Sequence, residues 1–440
     1  MKLRKEKKSG KILKDFIKIN MIEPKFIKKT VLIFSFFCLI ESDICSENYI
    51  TPTPGEISIV AWTPIPEGKK PRHKDFIDLI DCGFNLGIDN GSIQYFNEVF
   101  DSIGNSSFKY LISNSALFTK DRIRFIKAFR HNSHFAGWFL KDEPQFEELK
   151  LWSSRYRELL KEDFNSLIYM NLAYGIQKRF TGPLINYRNY LELIETEFNP
   201  KIWSYDMYPI SIVNGKITIA YEQFYGALED FAEIAKKTNK PFWAFCETLE
   251  YRTTKYLRPK ATLPYLRFEA FSALAYGAQG IVYWTYGMIN STSTLDCLSA
   301  LTDSNGEKTP AWFIAQQVNS EIKKFNKVFY NCKVLGVRHS GNQLYKGTKR
   351  YDEEFGPFNM VNSEGNGVII SLIQNHGKYY VIFVSRNVER KQEVLIKLKT
   401  NVNMKEITEE KKYFTWNKVV RFRLEEGSYK IFEIENYKYQ

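Results

Sequence analysis

Three carboxylates stand at the ends of short apolar runs. Glu143 closes Gly137-Trp138-Phe139-Leu140-Lys141-Asp142 and precedes Pro144, and Glu247 closes Pro241-Phe242-Trp243-Ala244-Phe245-Cys246. Asp206 closes Trp203-Ser204-Tyr205 and leads into Met207-Tyr208-Pro209. Two carboxyls that face one cavity suit acetal hydrolysis. One gives a proton to the leaving oxygen, and the other attacks the anomeric carbon or activates a water. Their pKa values must be split, which burial and mutual repulsion can do.

Each motif also has a plainer reading. Asp142-Glu143 before Pro144 reads as a helix start, because carboxylates favour the positive helix end and Pro suits the first turn. Glu247 taken alone is a solvated loop residue, with Glu250 as its competitor for the strand-end position. Asp206 is equally a structural acceptor for backbone N–H groups. Placement in a larger scaffold decides between these readings, so the surrounding elements matter.

From residue 56 a unit repeats: a short run rich in β-branched and aromatic residues, a polar corner, then an amphipathic stretch. The expected strands are Ile57–Trp62, Phe84–Ile88, Tyr110–Ser113, Ala136–Leu140, Ser166–Asn171, Ile202–Tyr205, Phe242–Cys246 and Gly280–Trp284. Helical patterns lie between them, among them His73–Asp81, Lys120–Phe129, Phe146–Lys161, Tyr187–Thr196, Tyr221–Lys237 and Pro264–Tyr276, with Pro310–Lys324 last. Alternation of this kind implies βαβ units and a parallel sheet. Eight strands predict a (β/α)₈ TIM barrel over residues 50–330, with working groups on the face where strands end. A doubly wound open sheet is the rival, but no glycine-rich phosphate loop follows the first strand. After residue 332, runs such as Val368–Leu372, Tyr379–Phe383, Glu393–Leu398 and Tyr429–Glu433 alternate between turns. They predict a C-terminal all-β sandwich domain over 332–440.

On that scaffold Glu143 ends strand four and Glu247 ends strand seven. They lie 104 residues apart, about three βα units, so both can face one mouth. Here the chain resembles the clan A glycoside hydrolases, in particular β-galactosidase-like barrels related to glycoside hydrolase family 42. The phrase Asp142-Glu143-Pro144 is similar to that clan's Asn-Glu-Pro. Phe271–Tyr286 and Leu301–Pro310 resemble its strand-eight region and the approach to its last helix. The resemblance covers about residues 56–330. It implies Glu143 as acid/base and Glu247 as nucleophile of a retaining double displacement. It implies Trp284 as a sugar platform, and Tyr205 or Tyr208 as hydrogen-bond partner of the nucleophile. Trp62, Asn171, Tyr205, Asp206, Tyr208 and Trp284 join Asp142 as expected substrate-binding residues. Asp142 departs from the clan's Asn, so an acid stands where an amide holds the sugar's 2-hydroxyl. Two alternatives stay open: a carbohydrate-binding barrel without turnover, and an inverting or substrate-assisted hydrolase using Asp142 or Asp206. Trp62, Trp203 and Trp243 read as core rather than platform.

Composition fits an enzyme of this kind and excludes others. The net charge is +12 over 440 residues. Residues 1–45 hold eleven Lys or Arg against five Asp or Glu, half of that excess. The remaining chain is only mildly basic, without a basic stripe or nucleic-acid motif. Aromatic residues make up 16%, enough to fill a core and supply sugar-stacking faces. Six cysteines, Cys38, Cys45, Cys82, Cys246, Cys297 and Cys332, show no CxxC or Cys/His metal spacing; at most one disulfide is expected. The five histidines lack metal spacing, and His131 and His134 precede strand four, on the face away from the site. No metal or organic cofactor is expected, and the partner is an oligo- or polysaccharide. Residues 1–45 read as a signal or leader segment. Lys25, Lys28 and Lys29 precede an apolar run, Thr30 to Ile40, too short to span a bilayer, and Met21 is a candidate start. Export to the periplasm, cell surface or medium is expected. Cys45 is a candidate lipid-anchor cysteine, although Ser42-Asp43-Ile44 fits a lipobox poorly.

Overall fold

The computed structural model describes residues 52–438 apart from 176–177, 185, 410–412 and 416–418. The leader, Met21, Cys38 and Cys45 lie outside the described residues. Eight parallel strands close a barrel: β1 (Ser58–Trp62), β2 (Leu86–Asn90), β3 (Lys109–Ser113), β4 (Phe135–Asp142), β5 (Leu167–Ala173), β6 (Trp203–Asp206), β7 (Phe242–Glu247) and β8 (Gly280–Trp284). β1 closes the ring on β8 in the register Ser58–Gly280 to Ala61–Tyr283. With single-turn helices left unlabelled, the outer layer is α1 (His73–Asp81), α2 (Ile93–Ile103), α3 (Arg122–Phe129), α4 (Leu149–Glu162), α5 (Tyr187–Phe198), α6 (Tyr221–Thr238), α7 (Leu263–Ala275) and α8 (Pro310–Lys324).

Strand alternation sorts side chains into two cores. Val60, Ile88, Leu111, Phe139, Tyr169, Trp243, Phe245 and Val282 fill the barrel interior. Ile59, Tyr110, Trp138, Leu140, Met170, Trp203, Ala244, Cys246 and Tyr283 face the helices. Both strand faces are therefore buried, which is why these strands read as nearly continuous apolar runs. A Cβ at Gly280 would stand 2.4 Å from the Trp243 indole. A bare backbone there is what lets so large a ring lie inside the barrel.

β4 carries the one irregularity that matters for chemistry. Its register with β5 runs Phe139–Tyr169, then Lys141–Met170 and Asp142–Asn171, so Leu140 is an extra residue. Such a bulge shifts the inward–outward phase by one position. Asp142 thereby joins Asn171 on the inner series Leu167, Tyr169, Asn171.

Residues 333–435 form the β-sandwich. One sheet has six strands in the order Lys333–His339, Val368–Asn375, Lys378–Ser385, Tyr429–Glu435, Asn403–Glu406 and Tyr413–Thr415; the other has Phe358–Ser363, Gln392–Leu398 and Val419–Leu424. Phe358, Val368, Phe383, Ile396, Phe422 and Phe432 fill the space between them. The six-stranded sheet is buried on its other face too, against the barrel. There Phe271 of α7 stacks on Tyr429 with centroids 3.4 Å apart and planes 14° apart. Ser371 Oγ donates to the Ala275 carbonyl at 2.6 Å.

α7 begins with Thr262, whose side chain accepts from the Tyr265 N–H, and with Pro264 in its first turn. Phe268, Ala270, Phe271, Leu274 and Ala275 are all buried. A helix apolar on every side has to be enclosed on every side, and the sandwich supplies the outer wall. Barrel and sandwich accordingly form one compact unit. Tyr429→Ala would open a cavity in this wall. It is expected to destabilise the protein by about 3 kcal/mol, read from urea unfolding; an unchanged midpoint would show that the α7–sheet contact carries little of the stability.

Candidate active site

The expected residues converge at the C-terminal mouth of the barrel. Trp243 and Phe245 point inward from β7, and the same alternation turns Glu247 inward. Glu247 is only 7% exposed. Its Oε1 has no hydrogen-bond partner. Its Oε2 lies 3.5 Å from the Arg258 guanidinium. Burial pushes its carboxyl well above the ordinary glutamate range; Arg258 and a hydrogen bond from Tyr251 pull it back down.

Arg258 is fixed for this task. Its Nη1 donates to the carbonyls of Tyr208 and Ile210 at 2.8 and 2.7 Å. It belongs to a five-stranded sheet built from the loops after β6, β7 and β8: Asp296–Ser299, Glu250–Arg252, Leu257–Arg258, Ile210–Val213 and Lys216–Ile219, in that order. Neither this sheet nor Arg258 and Tyr251 is foreseen from the sequence. The two-residue strand Leu257–Arg258 and the three-residue strand Glu250–Arg252 are too short to show a period.

The other carboxyls form a cluster. Asn171, 1% exposed, donates through Nδ2 to Asp206 at 2.8 Å and to Asp142 at 3.1 Å. Ser204 Oγ donates to Asn171 Oδ1 at 3.0 Å and meets Tyr169 OH at 2.7 Å, which fixes the amide's orientation. Asp206 is raised well above the aspartate range by burial, then by the charges of Glu143 and Asp142, and by a hydrogen bond with Glu143. Asp142 keeps solvent access through the mouth, yet the surrounding protein pushes it up to about 6, with the Asn171 amide opposing. Lys141 turns away over the Trp152 ring, 5.6 Å from its centroid.

Glu143 follows the bulged strand in a left-handed conformation, φ 43°, and its N–H donates to the Asn171 carbonyl at 3.0 Å. For a non-glycine residue ahead of a proline this is a strained backbone of the kind found at functional sites. The helix-start reading is corrected here. The helical turn starts at Phe146, with Gln145 as its cap and the Glu148 carboxylate accepting the Gln145 N–H at 3.0 Å. Asp142 and Glu143 are free of that task.

Aromatic rings line the same mouth. Trp284 and Tyr208 stack with centroids 5.5 Å apart and planes 24° apart, and Tyr251 meets Trp284 edge-on at 5.7 Å. Trp62 is half-buried and packs on Phe139 at 5.1 Å and Phe245 at 5.5 Å. The Tyr208 phenol feels the charges of Asp206, Glu247 and Asp142 together, which places it between the two carboxyl groupings. Tyr205 is the exception among the expected residues. It faces the helices, is 2% exposed, and stacks on Phe231 at 4.2 Å. Only one of the neighbours Tyr205 and Asp206 can face inward, and Asp206 does, so Tyr205 is no partner of Glu247. Trp203 and Trp243 are core, as expected. His134 bonds the Phe108 and Gly104 carbonyls, a structural role. The four described cysteines are free thiols.

No known family profile matches the chain, and no curated protein matches its sequence. Its fold is similar to that of a β-galactosidase from Bacillus circulans sp. alkalophilus, with TM-score 0.55 and 7% identity over 86% of this chain and 99% of that one. It is also similar to a GH42 β-galactosidase from G. stearothermophilus, with TM-score 0.52 and 8% identity over 88% and 99% of the respective chains. At such identities the likeness establishes the fold: a (β/α)₈ barrel followed by a β-domain.

The Asn171 amide holds both aspartates toward their ionised forms. Asn171→Leu is therefore expected to move the Asp142 midpoint above about 6 and to raise Asp206 further, as followed by ¹³C NMR of carboxyl-labelled aspartate. Unmoved midpoints would mean that the amide does not bridge the pair in solution.

Proposed function

We propose that the protein is a glycoside hydrolase that cleaves O-glycosidic bonds with retention, Glu247 acting as nucleophile and Glu143 as acid/base. One observation carries the reading: the two carboxyls have neighbours of opposite sign. Glu247 lies beside a fixed guanidinium, which favours the anion needed for attack. Glu143 stands among acids instead: its charge is one of the causes that raise the buried Asp206 and Asp142. Those two aspartates are raised, so a proton is held in the cluster beside Glu143, where a general acid needs one.

The mechanism then follows from the chain's own groups. A sugar stacks against Trp284 and Tyr208 while Asp142, held by Asn171, accepts hydrogen bonds from its hydroxyls. Glu143 protonates the leaving oxygen as Glu247 attacks the anomeric carbon, giving a glycosyl ester. Glu143 then takes a proton from water, which displaces Glu247. A sugar-binding barrel without turnover needs the aromatic wall but not this partition of charge. Export directed by residues 22–45 completes the proposal.

On a panel of aryl glycosides, Glu143→Gln and Glu247→Gln are each expected to lower kcat/KM by about a thousandfold, and ¹H NMR should show the retained anomer first. Activity surviving both changes refutes the pair; the inverted anomer shifts the chemistry to Asp142 or Asp206.

The pH dependence has a definite sign. Glu247 must be ionised to attack, and burial raises its pKa, so the acidic limb of kcat/KM should lie above the ordinary glutamate range. Arg258 opposes that rise, so Arg258→Met should move the limb to still higher pH. A limb that stays in place, or moves down, would separate Arg258 from Glu247.

A further inference from the structure

Behind Glu247 stands a carboxyl that the mechanism above does not use. Glu269 projects from α7 and is 3% exposed. Its Oε2 accepts the backbone N–H of Glu247 at 2.8 Å. The ladder between β6 and β7 ends at Tyr205–Ala244, three residues short of Glu247. Where the β6 ladder has ended, a side chain from a helix secures the strand's last residue.

The groups facing Glu269 come from three elements besides its own helix. β7 presents the Glu247 N–H and charge and the Cys246 thiol; β8 presents the Tyr283 phenol; the Leu257–Arg258 strand presents its guanidinium. A carboxyl enclosed on a helix with no apolar purpose is costly to keep, and here it meets one functional backbone group.

We propose that Glu269 is a positioning residue for the reaction: its carboxyl oxygen fixes the backbone of Glu247. The inference rests on the hydrolase reading for its catalytic meaning, but its geometry does not. Burial pushes Glu269 up to about 8, with the Glu247 N–H and Arg258 opposing. As it ionises, the hydrogen bond becomes charge-assisted and shorter-ranged repulsion makes the Glu247 anion less favourable. The same residue thus both holds and tunes Glu247.

The test uses the full chain, with glutamate ¹³C-labelled at Cδ and Glu247→Gln assigning the Glu247 resonance. Glu269→Gln keeps an oxygen acceptor but cannot ionise, so the response of the Glu247 resonance to Glu269 ionisation near pH 8 in the parent should be lost. A Glu247 titration curve identical in parent and variant overturns the proposal. For turnover, Glu269→Met should lower kcat by about tenfold or more with little change in KM, as small misplacements do, and Glu269→Gln should recover most of that loss. Equal losses in both variants overturn the positioning role. If the parent releases sugar from no substrate, the hydrolase reading fails, and the NMR arm still decides the coupling.

Discussion

α7 is enclosed on both sides, and much of the molecule follows from that enclosure. Its inner side packs on the barrel and its outer side on the six-stranded sheet, through Phe271 on Tyr429 and Ser371 on the Ala275 carbonyl. A helix with no solvated face has little freedom to shift, because close-packed interiors transmit displacement rather than absorb it. Glu269 rides on this helix and grips the end of β7. The sandwich therefore bears on the mouth without reaching it. Its contribution is stiffness in the wall behind one carboxyl.

At the mouth, electrostatics and geometry divide the labour. Three carboxyls, Asp142, Glu143 and Asp206, are gathered around one amide, while a fourth, Glu247, is set apart beside a cation. Four acids distributed evenly would only repel one another. Grouped this way, burial and repulsion keep a proton on one side, while on the other Arg258 offsets part of what burial takes from the Glu247 anion. The aromatic wall of Trp284, Tyr208 and Tyr251 runs alongside and lowers the local polarity in which both effects operate.

The barrel was legible because parallel strands buried on both faces leave apolar runs such as Ile57–Trp62 and Phe242–Cys246. The positions of Glu143 and Glu247 followed from strand order. Tyr205 went astray because resemblance placed it by its neighbourhood, and alternation gives the inward place to Asp206. Arg258 and Tyr251 were invisible, since they belong to strands of two and three residues whose existence depends on partners from other loops. Glu269 left a trace that could have been followed: a lone acid between Phe268 and Ala270 in a helix apolar on every side. Buried carboxyls of that sort are uncommon unless paired.

The extra residue Leu140 gives the pairing of β4 a meaning of its own. Were Leu140 paired in regular register instead of bulged out, alternation would carry Lys141 into the mouth and turn Asp142 toward the helices, exchanging an acid for a base. The charge of the site is thus written partly in the strand's reading frame. Removing Leu140 altogether would leave Asp142 inward, opposite Asn171, so the bulge and not the residue count sets that charge. Two chains of this fold can therefore keep the same residues at β4 and differ in chemistry, or lose almost all identity and agree.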